Sequence, residues 1–100
     1  MADRRLVMDK VIFRIWPDGD VIALFPQIAA TIDGYMCDSY MHVGQHGAAS
    51  PEIIRNTRPA KKKEYKELLK ELEQIGYNPT VVKRFTYADY QLRKSQYEGM

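Results

Sequence analysis

Val11–Trp16 (VIFRIW) is a short run of β-branched and aromatic residues, the pattern of a pleated, half-buried strand. Val11, Phe13 and Ile15 fall on one face and Ile12, Arg14 and Trp16 on the other, so both faces are expected to be partly covered. Pro17-Asp18-Gly19-Asp20 follows: proline presets one turn angle and glycine accepts the positive φ a hairpin needs. Val21–Phe25 (VIALF) is then the returning strand, stopped by Pro26. Gln27–Asp33 has no single period, and Asp33-Gly34 marks a turn before a third strand over about Tyr35–Val43. The connection of about ten residues is too long for a tight hairpin but permits antiparallel pairing.

The strand leads into a slim loop containing Gly44, Gly47, Ala48 and Ala49, where another backbone could approach closely. Ser50-Pro51-Glu52 then reads as a helix start, with serine as N-cap and proline at the first helical position. That helix is brief, about Pro51–Asn56, because Pro59 follows. Lys61–Ile75 carries the clearest helical period: Tyr65, Leu68, Leu69, Leu72 and Ile75 form one apolar stripe, and Gly76 supplies a stop. Burial of that stripe, at roughly 2 kcal/mol per large side chain, holds a helix that propensity alone leaves marginal. Thr80–Phe85 (TVVKRF) reads as a fourth strand. Thr86 and Asp89 have the spacing of a capping box and open a last helix, about Tyr87–Tyr97, docked by Tyr87, Tyr90 and Tyr97.

The order β-β-β-α-α-β-α predicts an α+β fold. It is a single domain over residues 1–100: an antiparallel sheet of about four strands with the long helix packed on one face. Residues 1–9 and 98–100 are expected to fray. A hydrophobic content of 45% with 28% charged residues belongs to a chain that folds, and 100 residues bury roughly two thirds of the unfolded surface. One cysteine, Cys37, excludes an internal disulfide and a cysteine-pair zinc site. The basic N-terminus has no apolar run behind it, and the longest apolar stretch, Val21–Ile32, is too short to span a bilayer. A cytoplasmic setting without membrane attachment is expected.

Net charge is only +2, but it is unevenly spread. Residues 1–52 hold four Lys/Arg against seven Asp/Glu, and residues 53–100 hold eleven against six. Arg55, Arg58, Lys61, Lys62 and Lys63 follow one another without an intervening acid. The lysines crowd a helix start, where the macrodipole disfavours cations by up to about 1 kcal/mol each. Free N–H groups and these side chains facing phosphate or carboxylate would account for the placement. Lys83, Arg84, Arg93 and Lys94 would widen the basic surface.

The second candidate region is Tyr35–Ser50. Asp38, Tyr40 and His42 share one strand face and lead to Gln45 and His46, a polar and aromatic row able to hydrogen-bond a ligand. His42 and His46 stand four apart, but Gly44 and Gly47 argue against the helix that would aim both at a metal, and no metal is expected. Cys37 and His42 point to opposite faces, which disfavours a thiol–imidazole pair, and Cys37 is expected to be a small buried hydrophobe. No elbow motif surrounds Ser39 or Ser50. No catalytic set is complete, and no cofactor is expected.

The runs SYMHVGQHGAA (Ser39–Ala49) and NTRPAKKKEYKELLKELEQIGYN (Asn56–Asn78) resemble small uncharacterised bacterial proteins, some associated with plasmids or phages. The resemblance spans about Val11–Phe85 and brings no activity, cofactor or site residues with it. The residues themselves favour a non-enzymatic accessory protein binding a macromolecule, protein or nucleic acid, through Tyr40, His42, Gln45, His46, Arg58, Lys61, Lys62 and Lys63. A small enzyme or ligand-binding protein centred on Asp38, Tyr40, His42 and His46 is the alternative. A self-associating homodimer, paired through a strand edge or aromatic face, is the third.

Overall fold

The computed structural model describes residues 8–42 and 45–96. Strands β1 (Asp9–Ile15) and β2 (Val21–Ala29) form the expected antiparallel hairpin, Ile12 opposite Leu24 and Ile15 opposite Val21. Trp16 and Asp20 close the turn, with the Trp16 N–H donating to the Asp20 carbonyl and the Gly19 N–H to the Trp16 carbonyl. Gly19 sits at φ 98°, the left-handed region the turn demands. Asp9 belongs to β1, and the Asn78 N–H donates to its carboxylate at 2.8 Å; residues 1–7 and 98–100, also expected to fray, lie outside the described residues.

β3 (Cys37–Met41) pairs with β2, and β4 (Gln45–Ala49) pairs with β3, Tyr40 opposite His46. β4 corrects the reading of this stretch as a loop. Its glycine and alanines lower strand propensity, but the ladder to β3 supplies the order that local preference lacks. Helix α1 (Ile53–Asn56) follows, then the two-residue β5 (Arg58–Pro59), the long helix α2 (Lys62–Gln74), β6 (Pro79–Val81) and helix α3 (Tyr87–Ser95). The strand order is β4-β3-β2-β1-β5, with β6 pairing β1 in parallel beside β5. The sheet is therefore longer than four strands. The predicted fourth strand is confined to Pro79–Val81 and runs parallel to β1, opposite in direction to β5, which precedes α2 in the chain.

Pro26 does not stop β2. The strand continues to Ala29 through a shift of register against β3, between Phe25 and Ala29. Proline is tolerated at such an irregularity because its missing N–H removes no ladder bond there. The helix starts also differ in detail. α1 begins at Ile53, whose N–H meets the Ser50 carbonyl, not at a serine side-chain cap. α3 carries the predicted box in full: the Thr86 N–H donates to Asp89 Oδ2 at 2.9 Å and the Asp89 N–H to Thr86 Oγ1 at 3.2 Å. α2 ends as predicted at Gly76, where the Tyr77 N–H reaches the Leu72 carbonyl and the Gly76 N–H that of Glu73.

The sheet separates two cores. Val11, Phe13, Ala23, Phe25 and Tyr40 lie beneath Leu68 and Leu72 of α2, with Leu69 partly buried beside them. Tyr65 stacks on Phe13 at 4.3 Å and Tyr77 on Phe25 at 4.9 Å. On the opposite face Ile12, Ile22, Leu24, Cys37 and Ala49 meet Ile53 of α1, with Trp16, Val82 and Phe85 at the margin.

α3 is docked by charged groups, not by the tyrosines expected to do so. Tyr87 is 72% exposed, and Tyr97 lies outside the described residues. Arg93, expected on a basic surface, is 4% exposed; its Nε donates to the Gly34 carbonyl at 2.9 Å and its Nη1 to that of Pro26 at 2.5 Å. The rings of Phe85 and Tyr90 each lie 5.6 Å from its guanidinium carbon. Burial would raise the Asp89 carboxyl, but bonds from Thr86 and Gln27, with Lys10 nearby, hold it below its ordinary value. Gln96 completes the clasp: the Ala29 N–H donates to its Oε1 at 2.8 Å, and its Nε2 donates to the Gln27 carbonyl.

Gly34 is where this docking becomes a steric requirement. A Cβ there would stand 2.6 Å from the Lys94 nitrogen and 2.9 Å from the Arg93 carbonyl carbon, at φ +74°. Gly19 has the same kind of φ but open space around it. Gly19→Ala is expected to cost about 1–2 kcal/mol of backbone strain. Gly34→Ala is expected to cost a further ~2 kcal/mol or more, because two backbones must separate. Urea unfolding of the two variants measures the difference; equal losses would mean that α3 does not press on this turn.

Candidate functional site

A hollow lies where the β1–β2 turn meets the segment between α1 and α2. Its volume is about 500 Å³, within the range of roughly 300–1,000 Å³ common for binding sites. Ile15, Trp16, Pro17 and Gly19 form one wall, Arg55, Asn56, Thr57 and Arg58 the other, and Glu64 of α2 the end. Local sequence places each wall. The turn residues put Trp16 at the strand exit, and the short α1 releases an extended segment that pairs back onto β1, Arg58 opposite Ile15.

Arg14 locks the two walls together from beneath. Its Nε donates to Thr57 Oγ1 at 3.0 Å, and its Nη2 donates to the carbonyls of Ile54 at 2.9 Å and Thr57 at 2.6 Å. Thr57 Oγ1 in turn donates to the Ile53 carbonyl. A guanidinium at the end of a helix meets carbonyls that lack intrahelical partners, so Arg14 serves α1 as a C-terminal cap.

Arg58 and Glu64 form a two-pronged pair, Nη1 to Oε1 at 2.9 Å and Nη2 to Oε2 at 2.7 Å. Glu64 Oε1 also accepts the Lys61 N–H at 2.8 Å. The start of α2 therefore holds a carboxylate of its own against the Lys61 N–H. The acid that sequence order places after the basic run folds back over it. Arg58, then the Lys61 N–H, hold the Glu64 carboxyl down at about 2. Arg55 makes no side-chain hydrogen bond among the described residues, but its charge, after bonds from Ser50 and Tyr35, helps to lower the Glu52 carboxyl.

Lys61, Lys62 and Lys63 are exposed and do not line the hollow. On α2, Lys62, Lys66 and Lys70 recur every four residues as one row, whereas Glu64, Glu67 and Glu71 form another. The acidic row faces the β3 end. A second hollow of about 220 Å³ there is lined by Gly19, Asp20, Val21, His42, Glu64, Glu67 and Leu68. It shares Gly19 and Glu64 with the larger one. The two regions singled out in the sequence, around His42 and around Arg58, are thus neighbours across Glu64.

The other residues of the His42 region take different roles. Tyr40 is 2% exposed, a core side chain, with the His46 ring edge-on at 4.8 Å. The His42 side chain is 80% exposed, with Nδ1 3.0 Å from Glu71 Oε2. Asp38 is half-buried opposite Ala48, and Gln45 pairs with Met41 at the start of β4. The hollows at His42 contain none of Asp38, Tyr40 and His46. Among the described residues no three or more His, Cys, Asp or Glu side chains stand where they could hold a metal ion. Trp16 and Asn56 were not singled out by sequence as site residues, and Arg55 only as the first member of the basic run. An aromatic residue directly before a tight turn was the available signal, but only the fold brings it to Arg55.

No helix of the described residues is long and apolar enough to cross a membrane. Comparison with protein-family models, with curated proteins and with solved structures gave no match.

Two outcomes follow from this chemistry. A carboxyl held below its unfolded value contributes stability above that value and loses it as pH falls through the folded one. The Glu64 contribution is therefore complete above about pH 4.5 and gone below about pH 2. Glu64→Gln is expected to flatten that part of the acid-unfolding curve; an unchanged acid limb would show the pair to be idle. Cys37 is 2% exposed and burial pushes its thiol up to about 11, so thiol reagents should label it only on unfolding. Stoichiometric labelling of the folded protein at neutral pH would contradict that.

Proposed function

We propose that this protein is a non-enzymatic binding module that recognises a protein partner at the Trp16–Arg58 hollow and the adjoining surface across Glu64 to His42. The observation that carries the proposal is the composition of the hollow: a half-buried indole sharing it with Arg55 and with an Arg58 paired to Glu64. Trp and Arg dominate the binding energy of protein interfaces, because each offers a large contact area together with directional hydrogen bonding. Interleaved acids (Asp20, Glu64, Glu67) oppose a continuous polyanion, which favours a protein over a nucleic acid as partner. The enzymatic alternative lacks support in geometry, since Tyr40 is a core residue and His42 is engaged with Glu71.

The test is differential capture from native cells with nuclease present, using the unaltered chain, Trp16→Ala, Arg55→Glu and a Lys61/Lys62/Lys63→Gln variant. Loss of an interface anchor costs about 2 kcal/mol or more, roughly 30-fold in affinity. Trp16→Ala and Arg55→Glu are expected to lose one and the same protein that the lysine variant retains. Arg55→Glu reverses a charge close to Glu52, so its urea-unfolding midpoint is compared with that of the unaltered chain to show an intact fold. Capture that disappears with nuclease, or that survives Arg55→Glu, would overturn the proposal.

A further inference from the structure

The two edges of the sheet are treated differently by the sequence. At the β1 edge, β5 and β6 lie end to end, of two and three residues, and each contains a proline. Pro59 and Pro79 have no N–H to offer, Arg58 adds a charge, and strands this short give a foreign strand little to pair with. The β4 edge has none of these devices. Gln45-His46-Gly47-Ala48-Ala49 carries no lysine, arginine, acid or proline, and its pairing with β3 has no register shift. His46, Gly47 and Ala48 are exposed. In an antiparallel ladder, alternate residues of the outer strand direct their N–H and C=O groups away from their neighbour, so β4 presents unpaired backbone groups on its open side.

We propose that β4 is an interface for a second copy of this chain, joined by antiparallel edge-to-edge pairing about a two-fold axis. Three features select a second copy over an unrelated strand. First, two-fold pairing sets a strand against itself, and any Lys, Arg, Asp or Glu in it would face, or lie diagonal to, its own like charge; β4 has none of these four. Second, β4 is the one open long edge among the described residues, so self-pairing closes at two copies instead of growing into a filament. Third, the side chains permit the approach. With Gly47 of one copy opposite Gly47 of the other, His46 falls opposite Ala48 on one face and Gln45 opposite Ala49 on the other. Every bulky group then meets a methyl. A five-residue pairing buries less than the roughly 1,200 Å² of a standard interface, so the dimer is weak and concentration-dependent. The Trp16 hollow lies beyond β2 and β3 from this edge, so partner recognition and self-pairing are independent proposals.

The experiment combines sedimentation velocity, over micromolar to millimolar protein, with site-directed cross-linking. The unaltered chain is expected to shift from monomer to dimer with concentration. Ala48→Lys is expected to raise the dimer dissociation constant at least about tenfold, since each lysine faces a copy of the same edge. Both substituted positions tolerate a side chain in the monomer: Ala48 is exposed, and a Cβ at Gly47 meets only Ser39 Oγ, at 3.8 Å. Directly opposed Cα atoms in a ladder stand about 4.5–5.5 Å apart, within disulfide reach. Under mild chemical oxidation Gly47→Cys is expected to form a covalent dimer much faster than Glu73→Cys, an exposed site on α2; Cys37 is buried and does not compete. Cysteines at positions 46 and 48 test neighbouring registers. A chain that stays monomeric throughout, or a dimer unaffected by Ala48→Lys and not trapped at positions 46–48, would overturn the proposal. Capture of a different protein's strand by a monomeric chain would overturn it equally.

Discussion

Pro26, Gln27 and Ile28 lie in the gap where β2 shifts register against β3, so the ladder between Phe25 and Ala29 cannot satisfy their backbone groups in the regular way. Arg93 and Gln96 take over that duty from α3, one donating to the carbonyls of Pro26 and Gly34, the other bridging Gln27 and Ala29. A guanidinium leaves water only where its donors find acceptors, and this one also rests between two aromatic rings. The constraint spreads outward. Gly34 must lack a side chain, α3 must lie close against the turn, and β3 is delivered in register from that turn onto β2. An apolar side chain at position 93 would leave the two carbonyls unmet at the point where the sheet is least regular.

Arg14 repeats this chemistry at the end of α1, and there it shapes the hollow beside Trp16. By meeting the carbonyls at the end of α1 it fixes the extended segment carrying Thr57 and Arg58 against β1. The hollow beside Trp16 exists because that segment cannot collapse onto the β1–β2 turn. Glu64 performs a related task at the start of α2, turning the basic run of residues 55–63 from an open anion site into a braced wall. The molecule thus spends two buried or half-buried arginines on holding backbone, and leaves Arg55 and the α2 lysines for the outside.

Elements with a strong local signal are legible in the amino-acid sequence. The hairpin needs only alternating β-branched residues and Pro17-Asp18-Gly19, the long helix its leucine stripe and Gly76, and the last helix Thr86 and Asp89. Cys37 as a buried thiol follows from strand parity alone. What escapes is of a different kind. β4 is rich in Gly and Ala, whose preferences disfavour strands, and β6 finds its parallel partner β1 far away in the chain. Arg93 reads as a surface cation until its acceptors, 59 and 67 residues away in the chain, are in place. The candidate site is half legible: Arg58 and His42 are marked by charge and pattern, but Trp16 and Arg55 meet only through the β1–β5 pairing. The sequence alone determined which segments are helix or strand wherever local period and turn chemistry agree. Which edge stays open, which arginines are buried and where the hollow lies were decided by contacts between residues 40 or more positions apart, and no local pattern encodes those.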